Sequence, residues 1–415
     1  MKSIVPIFHL QVGKTYMTKP FEGIKVIDLT HVLAGPFCTY QLAVLGGDTI
    51  KIESPDWPDQ VRTSGTDKTL NKRLMGTNYL SQGANKRCIT LNLKLEKGRD
   101  VLKRMVPKAD VMVENYRAGA MIKLGLGYED MKVINPRLIY CSMTGYGQTG
   151  PKGGITAYDT MIQAASGMMA VTGTPETAPL KVGAPIIDYA CGTMAAFAVA
   201  AALLQRERTG VGQFIDFSML DTTLILLSST VAGYLYNGTV MSIPRGNDFS
   251  RAGGCGFKSK DGAIVMLGAL NTRQYERLWK ALGRPDLADQ STHDEMDENN
   301  EILKEELTRI FLTRTAAEWE EFFDQAHVPA ARVNTIPEAL ALKQLNNREN
   351  LFHTFNTVPG TEQTVTVPVA GFSYAHGGPS VEMPPSRMGT HTEEVLRELG
   401  YEDEEITSLR REGVI

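Results

Sequence analysis

The acid whose setting most invites chemistry is Asp188, in the stretch GAPIIDYACGTMAAF (183–197), between a Gly/Pro turn and a run of small apolar residues patterned as a buried helix. Two readings compete. An Asp ahead of such a run is a favoured N-cap, and Tyr189 to Leu204 has no other start signal. A carboxylate at a helix N-terminus, flanked by Gly183 and Gly192, is equally one that the helix charge keeps ionised and a ligand can approach, which suits a nucleophile. Position alone leaves both open.

The other polar groups at the ends of strand-like segments are His31, Lys94, Asn115, Arg117, Tyr158 and Asp159. Two acids and several cations among apolar neighbours suit an anionic ligand and a reacting carboxylate, although a lone Lys or Arg is ordinarily a surface charge. Rival chemistries lack their parts. GYGQTG (145–150) matches G-x-G-x-x-G, yet PKGGITAYD follows it, a Pro/Gly loop where a dinucleotide site needs a helix, and no acid stands about 20 residues on. There is no G-x-S-x-G elbow and no G-x-x-x-x-G-K-[ST] phosphate loop; for His31 a backbone-turn role is the plain expectation. The 7 histidines never fall at metal-ligand spacing and no C-x-x-C pair occurs, so no metal site is expected.

The elements that must position these groups alternate from Gly23 onward. Strands are expected at GIKVIDLT (23–30), TIKIE (49–53), RCITLNL (87–93), ADVMVEN (109–115) and RLIYCSMT (137–144), with a helix opened by Pro36 and running through Leu45. Helices are also expected in EKGRDVLKRMVPKA and YEDMKVINP. Such β-α-β alternation implies a largely parallel sheet covered on both faces, with ligands at the carboxyl ends of its strands. Beyond residue 257 a smaller α+β unit is expected: strand GAIVMLGA, helices around Trp279 and Trp319, and an acidic, turn-rich segment between them read as a solvated face. TVTVPVAGFSYAHGG and HTEEVLRELG supply a late strand and helix.

At 415 residues, 42% hydrophobic and 22% charged, the chain should form two domains or more. The net charge of −4, from 43 basic and 47 acidic residues of interspersed sign, shows no nucleic-acid or membrane footprint, so the partner should be a small molecule or a protein. The 5 cysteines lie far apart in apolar or Gly-rich surroundings, which suits free thiols in a reducing, cytoplasmic compartment. No run approaches the ~18 apolar residues of a membrane span. Residues 1–16 have the character of a loosely attached extension, with Met17 as an alternative start.

THVLAGP after the first strand, KIE closing the second, NKRCITLNLK, VMVENYRAGAMIKLGL, SMTGYGQTGP, AYD…Q, GAPIIDYACG and HTEEVLRELG, in this order from about Phe21 to Ile415, together resemble the class III coenzyme A transferases, the formyl-CoA and carnitine CoA-transferase family. The resemblance implies that Asp188 is the catalytic aspartate. It implies coenzyme A contacts at Val32, Ala34, Leu91, Lys94, Asn115, Tyr116, Arg117, Lys123, Leu124, Tyr158 and Asp159, and a glycine flap over the site at Gly253, Gly254 and Gly256. Leu33, Ser54 and Thr156 stand where the formyl-CoA enzymes carry a glutamine, a cation and a lysine, which disfavours oxalate as acceptor; nearby cations suggest a dicarboxylate such as succinate.

The fold implied is α/β: a Rossmann-like parallel-sheet large domain with an inserted small α+β domain, in an interlocked ring-shaped homodimer. The expected boundaries are an N-terminal extension (1–20), large domain with the CoA site (21–224), linker and glycine loop (225–256), small domain (257–333), return linker (334–360) and the C-terminal part of the large domain (361–415). The implied activity moves CoA from an acyl-CoA donor to a carboxylic acid acceptor, with the CoA thioester as co-substrate and no permanently bound cofactor. Two alternatives share this fold. An α-methylacyl-CoA racemase needs a second base, where the position before Asp159 holds Tyr158 in place of a histidine; a non-catalytic CoA-binding protein would not need Asp188 intact.

Overall fold

The computed structural model describes residues 19–240, 246–248, 251–288 and 299–415. These form two compact units, one of residues up to Ser166, Val182–Ala232 and Arg348–Ile415, the other of Gly167–Lys181 and Gly233–Asn347.

The first unit holds a six-stranded sheet of β1 (Lys25–Leu29), β2 (Asp48–Glu53), β3 (Lys86–Thr90), β4 (Val111–Glu114), β5 (Ile139–Thr144) and β6 (Gln213–Ser218). Its order is β3-β2-β1-β4-β5-β6 and every neighbouring pair is parallel. The five apolar runs read from sequence are five of these strands. The sixth, QFIDFS, is half exposed and alternates too weakly to stand out. Connecting helices include α1 (Ala34–Val44), α2 (Glu96–Met105), α3 (Tyr128–Ile134), α4 (Asp159–Ala165), α5 (Ile186–Thr209) and α6 (Met219–Leu226).

Alternation along the strands gives the sheet two unlike faces. Ile27, Leu29, Ile52, Ile89, Met112 and Tyr140 point to one, where they join Leu102, Met131, Val395 and Leu396 in an apolar core. The last two belong to the C-terminal helix Thr392–Glu398. The opposite face carries charge. The parallel register sets Asp28 opposite Lys51, and three ion pairs lie fully buried: Lys86–Asp28 at 3.0 Å, Lys51–Asp59 at 3.0 Å and Arg62–Glu53 at 2.7 Å. Each is completed by further partners, Lys86 Nζ donating to Pro36 O and Thr39 Oγ1 and Lys51 Nζ to Thr30 O. Completed in this way, such pairs tolerate burial; removing one member typically costs about 3–5 kcal/mol.

α5 is the helix expected after the Gly/Pro turn, but only one face of it is buried and its start differs. It begins at Ile186 with Pro185 at the N-cap, so Asp188 lies within the first turn and does not cap. α5 also corrects the expectation that no stretch reaches membrane-span length, because by length and apolar content this helix does. Its many Ala, Gly and Thr residues disguised that. Ile187, Cys191, Ala195 and Val199 are buried, and α5 packs along α1. At Gly192 a Cβ would lie 2.7 Å from Ala34 O and 2.9 Å from Phe37 Cβ, so only glycine lets the two helices meet there.

The second unit has a three-stranded antiparallel sheet of Gly256–Lys258, Ile264–Leu267 and Ala330–Arg332. Helices Thr272–Ala281, Asn300–Phe311 and Ala316–Gln325 surround it, with Trp279, Phe311, Trp319 and Phe323 in one aromatic-rich core. Most of the acidic segment, residues 289–298, lies outside the described residues, as does the N-terminal extension to residue 18.

Candidate functional site

Strand order reverses direction between β1 and β4, and at such a switch point the loops leaving the two strands diverge and open a crevice. Here Asn115, just after β4, bridges the gap. Its Oδ1 accepts from His31 N at 2.8 Å and its Nδ2 donates to His31 O at 2.8 Å. The His31 ring in turn contacts the Tyr116 hydroxyl at 3.2 Å.

Above this bridge is a cavity of about 360 Å³. His31, Val32 and Ala34 line it from the β1–α1 connection, Trp57, Pro58 and Gln60 from the loop after β2, Thr156, Ala157 and Tyr158 from the segment before α4, with Asn115, Asp188 and Met219. Val32 is a β-branched residue at φ 70°, a conformation that costs about 1–3 kcal/mol. Buried neighbours hold it: Asp59 Oδ1 accepts its N–H at 2.9 Å and Gln82 Nε2 donates to its carbonyl at 2.8 Å. Asp59 is itself clamped by Lys51 at 3.0 Å. The charged sheet face therefore fixes the turn that leads into α1. That helix has no side-chain N-cap, and among the described residues no acceptor takes the N–H of Ala34 or Gly35.

Asp188 is 8% exposed, and no donor among the described residues reaches its carboxylate. The sequence reading expected the helix terminus to depress its pKa; the opposite occurs. Burial, and secondly the Asp159 charge, push it up to about 7. The physical reason lies in the amides. Asp159 Oδ2 accepts from Ile187 N at 2.8 Å and from Asp188 N at 3.2 Å, so the positive end of α5 is spent on Asp159. Asp159 thereby fills the capping role first considered for Asp188. Its other oxygen accepts from Gln163 Nε2 at 2.6 Å, and Gln163 Oε1 accepts from Val182 N at 2.9 Å.

Of the residues singled out in the sequence, Val32, Ala34, Asn115, Tyr158 and Asp188 meet at this cavity. Tyr116 and Arg117 line a smaller adjoining hollow of about 80 Å³, which shares Ala34, Asn115 and Thr156. Asp159 stands behind Asp188, both of its oxygens taken. Leu91, Lys94, Lys123 and Leu124 do not line the cavity: the Leu91 side chain is in the core, Leu124 packs against that core, and both lysines are exposed. Gly253, Gly254 and Gly256 belong to the second unit, where they are packed and bonded. A Cβ at Gly253 would fall 2.3 Å from Ala269 O, and Gly254 N and Gly256 N donate to Arg251 O and Asn247 O. Trp57, Gln60 and Met219 carry no sequence motif that would mark them; His31, one of the polar groups expected at strand ends, lines the cavity as well. Among the described residues no Lys or Arg lines the cavity itself, and Arg117, one of the cations singled out in the sequence, lines the adjoining hollow.

The chain is similar to known proteins over most of its length. The family model described as CoA-transferase family III matches residues 21–392. A succinyl-CoA:glutarate CoA-transferase of Homo sapiens is 36% identical over 407 residues, covering 96% of this chain and 90% of that protein. An acetyl-CoA:oxalate CoA-transferase of Acetobacter aceti is 38% identical over 366 residues, covering 87% of this chain and 92% of that one. Among solved structures, a CaiB/BaiF family protein from Brucella suis superimposes with a TM-score of 0.78 at 29% identity, covering 92% of this chain and 100% of that one.

Proposed function

This chain belongs to CoA-transferase family III, an enzyme that exchanges CoA between an acyl-CoA and a carboxylic acid, and from that premise we propose that Asp188 is the group that carries the acyl and CoA intermediates. The observation that carries the proposal is a buried carboxylate that no donor among the described residues reaches, open to a 360 Å³ cavity at the strand-order switch point.

The steps balance with no other reagent. The Asp188 carboxylate attacks the thioester carbonyl of the donor; the C–S bond breaks, giving a mixed anhydride and CoA thiolate. The thiolate then attacks the Asp188 carbonyl, releasing the donor acid as its carboxylate and leaving an aspartyl-CoA thioester. The acceptor carboxylate attacks this thioester to form a second anhydride, and the thiolate returns to the acceptor's acyl carbon, freeing Asp188. A pKa near 7 serves this sequence. It makes the carboxylate a better nucleophile than one at 3.8 while leaving about half of it ionised at neutrality. Ala34 lines the cavity, and its unclaimed N–H is a donor available to the oxyanion that forms at each attack.

The relatives' names make succinyl-CoA and acetyl-CoA the first donors to try. A distal carboxylate entering this cavity would meet the neutral donors of His31, Gln60 and Tyr158. The homodimer reading is supported by apolar side chains left bare on α5 and α6, with Phe197, Leu204 and Ile225 at 69%, 55% and 61% exposed. Sedimentation should give twice the chain mass; a monomer would remove this part of the proposal.

The test of Asp188 is chemical trapping. Enzyme incubated with acyl-CoA and hydroxylamine should acquire a hydroxamate at Asp188, seen by mass spectrometry of its peptide, and Asp188→Asn should lose transfer while keeping CoA affinity. An unmodified Asp188 during active turnover sinks the covalent route. Solvent deuterium entering the α-carbon of a branched acyl-CoA, without transfer, would identify a racemase.

A further inference from the structure

The chain has 3 tryptophans. Trp279 and Trp319 are 0% and 2% exposed in the core of the second unit, whereas Trp57 is 71% exposed and lines the same cavity as Asp188. An indole left in water needs a reason, because it is the side chain with most to gain from contact.

The loop that carries Trp57 is anchored. Pro58 follows it and restricts its backbone to extended conformations. The next residue, Asp59, is 1% exposed and accepts from Val32 N, Val61 N and Lys51 Nζ, while its own N–H donates to Glu53 Oε1 at 3.1 Å. The indole is therefore two positions from one of the most heavily bonded side chains of the unit. It is presented at the cavity, and Tyr158, 46% exposed, lines the same space from another segment.

We propose that Trp57 is a positioning and water-excluding residue that packs over the thioester and the adjoining pantetheine chain of bound acyl-CoA. The proposal rests on the reading that acyl-CoA occupies the Asp188 cavity. Only the thioester end of the molecule must reach Asp188, and that end, with the chain leading to it, is largely apolar. Indole is the partner of matching chemistry; it would shield the anhydride and the aspartyl thioester from hydrolysis.

With two of three tryptophans buried, emission excited at 295 nm and accessible to iodide reports on Trp57. Saturating acetyl-CoA should shift this emission to the blue and cut its iodide quenching severalfold, while adenosine 3′,5′-bisphosphate, the nucleotide end alone, should leave both unchanged. Trp57→Phe should keep KM for acyl-CoA within about threefold, and Trp57→Ala should raise it about tenfold or more and increase the hydrolysed share of each turnover. Three results overturn the proposal: iodide failing to quench the free enzyme, acetyl-CoA binding by calorimetry without any emission change, or the nucleotide end alone producing the shift. Protection of Trp57 by acetyl-CoA in an enzyme that fails the hydroxylamine test upholds Trp57 while refuting the role of Asp188. Turnover through an Asp188 hydroxamate with an unresponsive indole does the reverse.

Discussion

Asp188→Asn should stabilise the folded enzyme above neutral pH. The carboxyl has a pKa of 3.8 when unperturbed and about 7 in the fold, so between these values the folded chain binds a proton that the unfolded chain has released. Stability then falls as pH rises, since its slope follows protons bound in the unfolded state minus those bound in the folded one. The penalty is absent below about pH 4, grows through the interval and is complete above pH 7. Its ceiling is about three units at about 1.4 kcal/mol each, or about 4 kcal/mol. Burial is the first cause and Asp159 the second, and asparagine removes both without changing shape. Allowing for an amide that gains no partner, the expected gain at pH 8 is about 2–4 kcal/mol, a rise of several degrees in Tm. Thermal melts of both proteins at pH 5 and pH 8, at matched protein concentration, test it. A variant no more stable than its parent at pH 8, or one stabilised equally at both pH values, refutes the placement of a strained carboxylate at this cavity.

The same titration should appear in turnover, with kcat/KM for transfer rising through about pH 7 and levelling above it. Asp159→Asn, which removes only the lesser cause, should move that limb to lower pH; a limb that stays in place would show that Asp159 does not govern it. Gly192→Ala inserts a Cβ 2.7 Å from Ala34 O, which should cost about 1–3 kcal/mol and lower kcat more than it raises KM, because it parts α1 from α5. Normal kinetics in a variant of lowered Tm would mean that the contact serves packing alone.

How much of this was legible before folding depended on whether the physics was local. Five buried strands announced themselves as short apolar runs, and their alternation with helices implied the parallel sheet. The resemblance of ordered motifs, and not any single string, pointed to Asp188. What sequence could not deliver was tertiary. The cap of α5 comes from Asp159, 29 residues earlier, and no local pattern shows that the helix amides are thereby taken or that the Asp188 pKa rises as a result. Trp57 reads as one aromatic residue in a proline-rich loop until the sheet brings it to the cavity. Leu91 and Lys94 stand three positions apart in a matching motif, yet one enters the core and the other meets solvent.

Beneath the cavity, Asp28, Lys51, Glu53, Asp59, Arg62 and Lys86 make a neutral lattice of three anions and three cations. Changing any one member strands its mate without water, whereas exchanging a whole couple for apolar residues of equal volume leaves no orphan. This floor should therefore drift over generations in coordinated couples, and an engineer who wishes to redesign it must edit two codons at a time while leaving Asp59 its grip on the turn at Val32.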